Sequence, residues 1–424
     1  MVAPAILDHR KLYRLPWSLT DNIISWLEPT KQCNLYCHGC YSANVAGSHK
    51  SLETIAHELD VFERFRQTDA VSIAGGDPLT HPQIVEVVRM VAARGLKPIV
   101  NTNGLALTPE LLRGLKAAGL KGFTFHIDSL QKRPGWTGKS EIELNELRLH
   151  YARMVAAVGG ISCAFNATVY DENLEQIADV VEWGRRHIDI AHVLVFIAIR
   201  AVEGDGRFDY YVGDRKIETK PLAYDKIKPV RNDIGAPDIV ARLRQRCGEF
   251  EPCAYLNGTE KADSFKWLMT LRIGDGKRIL GCVGPKFAEV AQVVNHLRHG
   301  RYQGYLSPKG HRSARWMLLL SWLDRGLRAV LKRDLAAVLR DPLRLFRPLH
   351  IQSVMIIQPV DTLADGRLSM CDACPDVTVY KDELVWSCRL DERIKFGQLM
   401  RLEPARHGAD REHEDEREET GVTA

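Results

Sequence analysis

The chain has 424 residues, 45% hydrophobic and 26% charged, a length and composition that fit a globular protein with a large core in one domain or two. A formal net charge of +4 is only mildly basic. Composition therefore gives no argument for nucleic-acid binding, and no nucleic-acid partner is expected.

Residues 1–23 read as an N-terminal extension without the basic start, apolar run and small-residue cleavage site of a secretory signal. No uninterrupted apolar stretch reaches the roughly 20 residues that a bilayer crossing takes. The expected location is the cytoplasm, where ten cysteines are more readily ligands or buried thiols than disulfides.

From residue 24 to 200, short β-branched and aromatic runs alternate with helical patterns. The runs IISWLEPT, AVSIAGG, KPIVNTN, GFTFHID, SCAFNATVY and AHVLVFIAI each fit a buried strand. Between them lie five amphipathic stretches with start and stop signals. Ser51 stands three residues before Thr54, Thr108 precedes Pro109, and Gly95 and Gly119 close two of the helices. Strand–helix alternation of this kind implies right-handed crossovers and a parallel sheet, curled as a partial barrel or opened as a doubly wound sheet. In either case the loops at the C-terminal ends of the strands carry the chemistry. Cys163 reads as a buried strand residue.

Residues 201–400 differ in character. RIGDGKRILGC and VTVYKDELVWSC each read as a β-hairpin with a cysteine after its second strand, separated by a basic, helical insertion near 284–350. Residues 401–424 read as an acidic, disordered tail.

The stretch CNLYCHGCY places Cys33, Cys37 and Cys40 at spacings of three and then two. With His38 as a fourth ligand they would suit structural zinc; with an iron–sulfur cube they would leave one iron open. The context separates the two readings. This loop follows the first predicted strand, and the second strand ends in Gly75-Gly76-Asp77-Pro78, where two glycines let backbone approach a small polar ligand.

Together these residues resemble the radical S-adenosylmethionine (radical SAM) superfamily over residues 24–200. The resemblance implies a partial (β/α)6 parallel barrel, α/β in class, with a C-terminal α+β auxiliary region. It also implies a 4Fe-4S cluster on Cys33, Cys37 and Cys40 whose open iron chelates SAM. Gly75, Gly76 and Asp77 match the segment that receives the methionine amino group. Asn101 and Asn103 in NTNG, and Asp128 and Ser129 in HIDS, match strand ends that contact ribose and carboxylate. The chain departs from the family at Gly39, where an aromatic or histidine often precedes the third cysteine, leaving the following Tyr41 as the aromatic candidate for the cofactor. Asp77 replaces the commoner glutamate. The implied activity is reductive cleavage of SAM to a 5′-deoxyadenosyl radical that abstracts hydrogen from substrate, with a ferredoxin- or flavodoxin-type one-electron donor.

Cys371, Cys374 and Cys388 look like the twitch and SPASM modules that hold an additional 4Fe-4S cluster. Cys282 is the expected fourth ligand, with Cys247 and Cys253 as alternatives and structural zinc as the rival reading. In the insertion, Trp316, Leu320, Leu323, Leu327, Leu331 and Leu335 recur at helical spacing among many arginines. That pattern suits a helix on an anionic membrane, on its inner face, or a helix packed on the barrel with a solvated basic side. A membrane-lipid substrate follows from the first reading. A peptide substrate is the alternative, and a zinc-stabilised, non-catalytic scaffold is a third.

Overall fold

The computed structural model describes residues 3–200, 206–220, 222 and 233–405. The expected acidic tail falls outside these residues from 406 onward; its first residues, Arg401–Pro404, form a strand. In chain order the first half comprises β1 (Tyr13–Arg14), β2 (Ile24–Thr30), α1 (Leu52–Phe65), β3 (Ala70–Gly75), α2 (Ile84–Ala93), β4 (Lys97–Thr102), α3 (Pro109–Ala117), β5 (Gly122–His126), α4 (Leu144–Val158), β6 (Ser162–Val169), α5 (Ile177–Arg186) and β7 (Val193–Ala198).

Local signals set these boundaries. Ser51 accepts a hydrogen bond from the Thr54 N–H at 3.1 Å and caps α1, while Thr108 caps α3 through the Leu111 N–H at 3.2 Å. Strands β2 to β7 are parallel, and each pairs with its neighbour in sequence. That order has no reversal, so the crossovers roll the sheet into a partial barrel and exclude the doubly wound alternative. Outward residues such as Val71, Val100, Phe125, Phe165 and Leu194 share one core with Leu59, Val88, Leu115 and Val181 of the surrounding helices.

The sheet does not stop near residue 200. After β8 (Phe208–Val212), β9 (Arg215–Lys216) and α6 (Ala236–Cys247) come β10 (Ala254–Leu256), β11 (Trp267–Gly274) and β12 (Ile279–Cys282), then α7 (Pro285–His299), α8 (Pro308–His311), α9 (Ala314–Met317), α10 (Arg325–Arg340) and β13 (His350–Ile357). β13 runs parallel to β7, and the sheet continues through β11 and β10 to β1. Its two edges are thus β1 and β2, which do not pair.

The last elements are the two-stranded sheet of β14 (Asp361–Thr362) and β15 (Leu368–Ser369), the hairpin of β16 (Val377–Tyr380) and β17 (Glu383–Trp386), α11 (Leu390–Phe396), and β18 (Arg401–Pro404), which pairs with β8. Both expected hairpins are present. Lys381 and Asp382 adopt positive φ, 50° and 64°, as a tight two-residue turn needs. Segment 371–388 fills the seam between the sheet edges. Arg14 pairs with Asp372 at 2.5 Å from the β1 side, and from the β2 side Asn22 Nδ2 donates to the Ala373 carbonyl at 3.0 Å and Arg66 to the Pro375 carbonyl at 3.3 Å.

The insertion lies at the opposite, N-terminal edge of the strands. The Gly304 N–H donates to Asp69, just before β3, and the Tyr305 hydroxyl to the Lys121 carbonyl, just before β5. The insertion is not one continuous helix, because Asp324 caps a fresh start at α10. Leu327, Val330 and Ala337 are buried, and Trp316 and Leu335 are exposed, so the expected single stripe divides between two surfaces.

His311 of the insertion stacks on His192 at the foot of β7, ring centroids 4.6 Å apart, with His350 and Asp189 nearby. Burial lowers His192 to about 3 and His311 to about 4. Unfolded histidine titrates near 6.5. Between about pH 6.5 and 4 the unfolded chain therefore binds protons that the folded chain refuses, and stability falls with pH by up to about 1.4 kcal/mol per unit for each ring. His311→Gln removes one ring, so its thermal midpoint should fall less steeply than that of the wild type between pH 6.5 and 4.5. Equal slopes would contradict this account.

Candidate functional site

Beyond Thr30 the chain crosses the C-terminal edge of the barrel as a long loop carrying the first three cysteines. Asn44 holds its start: the Cys33 N–H donates to Asn44 Oδ1, and Asn44 Nδ2 donates back to the Cys33 carbonyl, each at 2.9 Å. The Cys33 sulfur accepts from the Leu35 N–H at 3.4 Å and from Asn103 Nδ2 at 3.7 Å. Burial raises the pKa of Cys33, Cys37 and Cys40, and each thiol sits in the field of at least one of the others or of a nearby carboxylate. Arg133 partly offsets this at Cys37 and Lys31 at Cys40. Left to themselves the thiols hold their protons; a bound metal would displace them.

Gly75 and Gly76 explain how the loop reaches this position. A Cβ on Gly75 would lie 2.4 Å from the Thr30 carbonyl oxygen, and one on Gly76 2.2 Å from the Gln32 carbonyl oxygen. The Gly76 and Asp77 N–H groups donate to those same two carbonyls, both at 2.8 Å. The Asp77 carboxylate is fully engaged. It accepts from the Leu79 N–H (2.9 Å), the Asn103 N–H (2.8 Å) and the Thr102 hydroxyl (2.9 and 2.8 Å). It thus ties the end of β3 to the end of β4.

Below the loop lies the barrel lumen. Asn101 on β4 and Asn166 on β6 flank β5, and Asn101 Nδ2 and Asn166 Oδ1 are buried without hydrogen-bond partners among the described residues. Orphaned amides cost stability unless a ligand completes them. Asp128 is buried and pairs with His126 Nε2 at 2.8 Å, close enough to Cys37 to raise it. The Ser129 N–H donates to Glu141 at 2.7 Å. Asn103 reaches Cys33; Asn101 stands deeper.

The aromatic side chain at the loop comes from elsewhere than expected. Gly39 has φ +78°, and a Cβ there would lie 2.7 Å from Ile199 Cδ1 and 2.9 Å from the Tyr170 hydroxyl. Tyr170, at the end of β6, donates to the His38 carbonyl at 2.5 Å and packs beside the His38 ring. Tyr41 instead buries its phenol against Trp26 in the field of Glu28 and Asp376, and burial pushes it well up. Tyr170, Asn166 and Arg133 carried no motif in the sequence, and the β-strand period alone marked the first two as strand residues.

Cys371, Cys374 and Cys388 come together at the seam, each within the field of another. Cys282 does not join them, which corrects the expected fourth ligand. It pairs in register with Arg272, whereas Cys371 bridges Gly258 beyond the far end of β10. From Arg272 to Trp267, the partner of Leu256, is about 17 Å of strand. Cys253 and Cys247 lie with Cys282 and Arg272 and are displaced for the same reason. Asp376 stands by Cys374 and Cys388, and its Oδ1 is buried without a partner among the described residues. Among the described residues no three His, Cys, Asp or Glu side chains stand close enough to share one metal ion.

The sequence profile of the radical SAM superfamily matches residues 27–184. The AdoMet-dependent heme synthase of Methanosarcina barkeri is 27% identical over 213 residues, 48% of this chain and 56% of that protein. GTP 3′,8-cyclase 1 of Mycobacterium tuberculosis is 31% identical over 221 residues, covering 49% and 60%. The PqqA peptide cyclase of Ruegeria pomeroyi is 29% identical over 184 residues, covering 39% and 46%. The chain spans about half the length of these curated relatives.

The contact at Gly76 gives a direct test. Gly76→Ala should push the cysteine loop off the barrel edge, lowering bound iron by about four per chain after anaerobic reconstitution, with the circular dichroism spectrum unchanged. Wild-type iron content in this variant would contradict the role given to the glycine.

Proposed function

Since the chain belongs through residues 27–184 to the radical SAM superfamily, whose members similar to it are enzymes, we propose that it cleaves SAM reductively and abstracts hydrogen from a substrate held in the barrel lumen. The observation that carries this reading is three neighbouring thiols at the C-terminal edge of the barrel, above a lumen where Asn101 Nδ2 and Asn166 Oδ1 are buried without a hydrogen-bond partner among the described residues. Cys33, Cys37 and Cys40 would hold a 4Fe-4S cluster. Together with SAM, that cluster supplies a one-electron cleavage of the sulfonium and, from it, a hydrogen-abstracting 5′-deoxyadenosyl radical.

The remaining roles belong to this chain's own groups. Because the Asp77 carboxylate is spent on Leu79, Thr102 and Asn103, the backbone of Gly75 and Gly76 would meet the amino group of the cofactor. Asn101 and Asn166 would bind polar groups of the nucleoside. Asp128 and Ser129 stand at the end of β5 on the same rim. Val195, Ile197 and Met355, half a strand turn from the outward core positions, give the facing wall an apolar surface that keeps water from a reactive intermediate.

For the second set, the reading is an auxiliary 4Fe-4S cluster on Cys371, Cys374 and Cys388, with Asp376 at the fourth corner. An electron donor of ferredoxin or flavodoxin type would serve the first cluster. A peptide is the substrate class with most support, from the likeness to a PqqA peptide cyclase and from the twitch/SPASM-like cysteines. A membrane-lipid substrate has less, because the insertion lies at the edge of the barrel away from the lumen's mouth.

Anaerobic protein with dithionite and SAM should release 5′-deoxyadenosine, at least about 100-fold more than Cys33→Ala. Asn101→Ala, which removes one hydrogen bond to the cofactor, should raise KM for SAM about tenfold. Cys374→Ala should lower iron by about four per chain while leaving 5′-deoxyadenosine formation in place. Stoichiometric zinc with no adenosyl product would overturn the proposal.

A further inference from the structure

The insertion carries a second surface that the chemistry in the lumen does not use. One side of it is buried: Leu318, Leu327 and Val330 pack with Leu280 and Ile351 against the sheet. The other side is not. Trp316 is 72% exposed, Trp322 and Leu319 69%, Leu343 67%, and Leu339 and Phe346 84%. These six belong to adjoining pieces of chain. Arg315 donates to the Arg344 and Arg347 carbonyls, joining α9 to the turn after α10, and Arg328 donates to the Trp322 carbonyl. Large apolar groups gathered in this way on a surface mark a contact with something less polar than water.

The charge around them says what. Residues 309–347 hold ten Lys and Arg against three Asp. All three carboxylates are engaged within the insertion: Asp334 with Arg315, Asp341 with Arg344 and Arg347, and Asp324 with the Leu327, Gly284 and Phe287 N–H groups. Arg312, Arg325, Lys332 and Arg340 are exposed and make no ion pair among the described residues. On α10, Arg328, Lys332, Leu335 and Leu339 follow one another at spacings of three and four along one side, so two long cationic chains adjoin two apolar ones where their heads can rise to a headgroup layer. A second copy of the chain would set this excess of positive charge against itself. No helix among the described residues is long and apolar enough to cross a membrane.

We propose that this face docks on an anionic bilayer surface, with Trp316, Trp322, Leu339, Leu343 and Phe346 entering the interface and Arg325, Arg328, Lys332 and Arg340 meeting the headgroup phosphates. The face lies toward the N-terminal edge of the strands, so the docked protein keeps the lumen's mouth free for a substrate and an electron donor arriving from water. The inference rests on this surface alone and stands whether or not the assigned chemistry is correct.

Flotation of the full chain with vesicles of phosphatidylcholine containing about one-third phosphatidylglycerol tests it. The protein should float, with tryptophan emission shifted to the blue, and should bind pure phosphatidylcholine at least tenfold more weakly. Trp316→Ala with Trp322→Ala should lower binding at least tenfold. Lys332→Glu and Arg340→Glu, which leave the apolar groups intact, should each lower it about fivefold or more, with thermal midpoints unchanged in every variant. Failure to float on the anionic vesicles overturns the proposal. So does a dimer in sedimentation equilibrium that the tryptophan variants dissolve, because the face would then belong to a protein interface.

Discussion

The site depends on one close approach between two stretches of backbone. The Thr30 and Gln32 carbonyls lie where the Cβ atoms of residues 75 and 76 would otherwise be, and the same carbonyls accept the Gly76 and Asp77 N–H groups. Only glycine permits that spacing. It presses the start of the cysteine loop onto the end of β3, and Asp77 extends the tie to β4 through Thr102 and Asn103. The end of β4 in turn places Asn103 against the Cys33 sulfur. A loop that would wander on its own is thereby fixed over the lumen by hydrogen bonds to the ends of β3 and β4 and by the Asn44 bonds within it.

The rest of the molecule divides its tasks by barrel edge and seam. At the C-terminal edge, burial keeps the first three thiols protonated, so their affinity for a metal is coupled to proton release. At the seam, an open sheet would expose two unpaired edges, and the segment from Cys371 to Cys388 covers the gap with side-chain ties to both. At the N-terminal edge, the insertion closes the floor through Tyr305, His311 and Leu327, and turns a Trp- and Arg-rich face outward.

Much of this was legible in the sequence because it is written in short-range patterns. Strands β2 to β7 showed as runs of β-branched and aromatic residues, their helices as periodic stretches with caps at Ser51 and Thr108, and the first cysteine loop as a spacing. The two hairpins showed in the same way. What escaped depends on pairing between distant segments. Nothing local in HIQSVMII states that it will lie beside β7, and nothing in Tyr13–Arg14 states that it will find β10, so the extent of the sheet was hidden. Cys282 matched Cys388 in its hairpin context, yet β12 faces the opposite end of β11. Tyr41 adjoins the third cysteine in sequence, whereas the fold brings Tyr170 at the end of β6 to the loop. The amphipathic stripe in the insertion was read as one helix because leucine spacing survived across Asp324, which starts a new one.

The central claim is that the loop of Cys33, Cys37 and Cys40 holds a cluster with one iron free to bind a cofactor. Electron paramagnetic resonance tests it most directly, on reduced protein in which Cys371, Cys374 and Cys388 are all alanine so that only the first loop can contribute. The account requires a 4Fe-4S signal whose g values shift when SAM is added. A signal that SAM leaves unchanged, or no iron–sulfur signal at all, would contradict it.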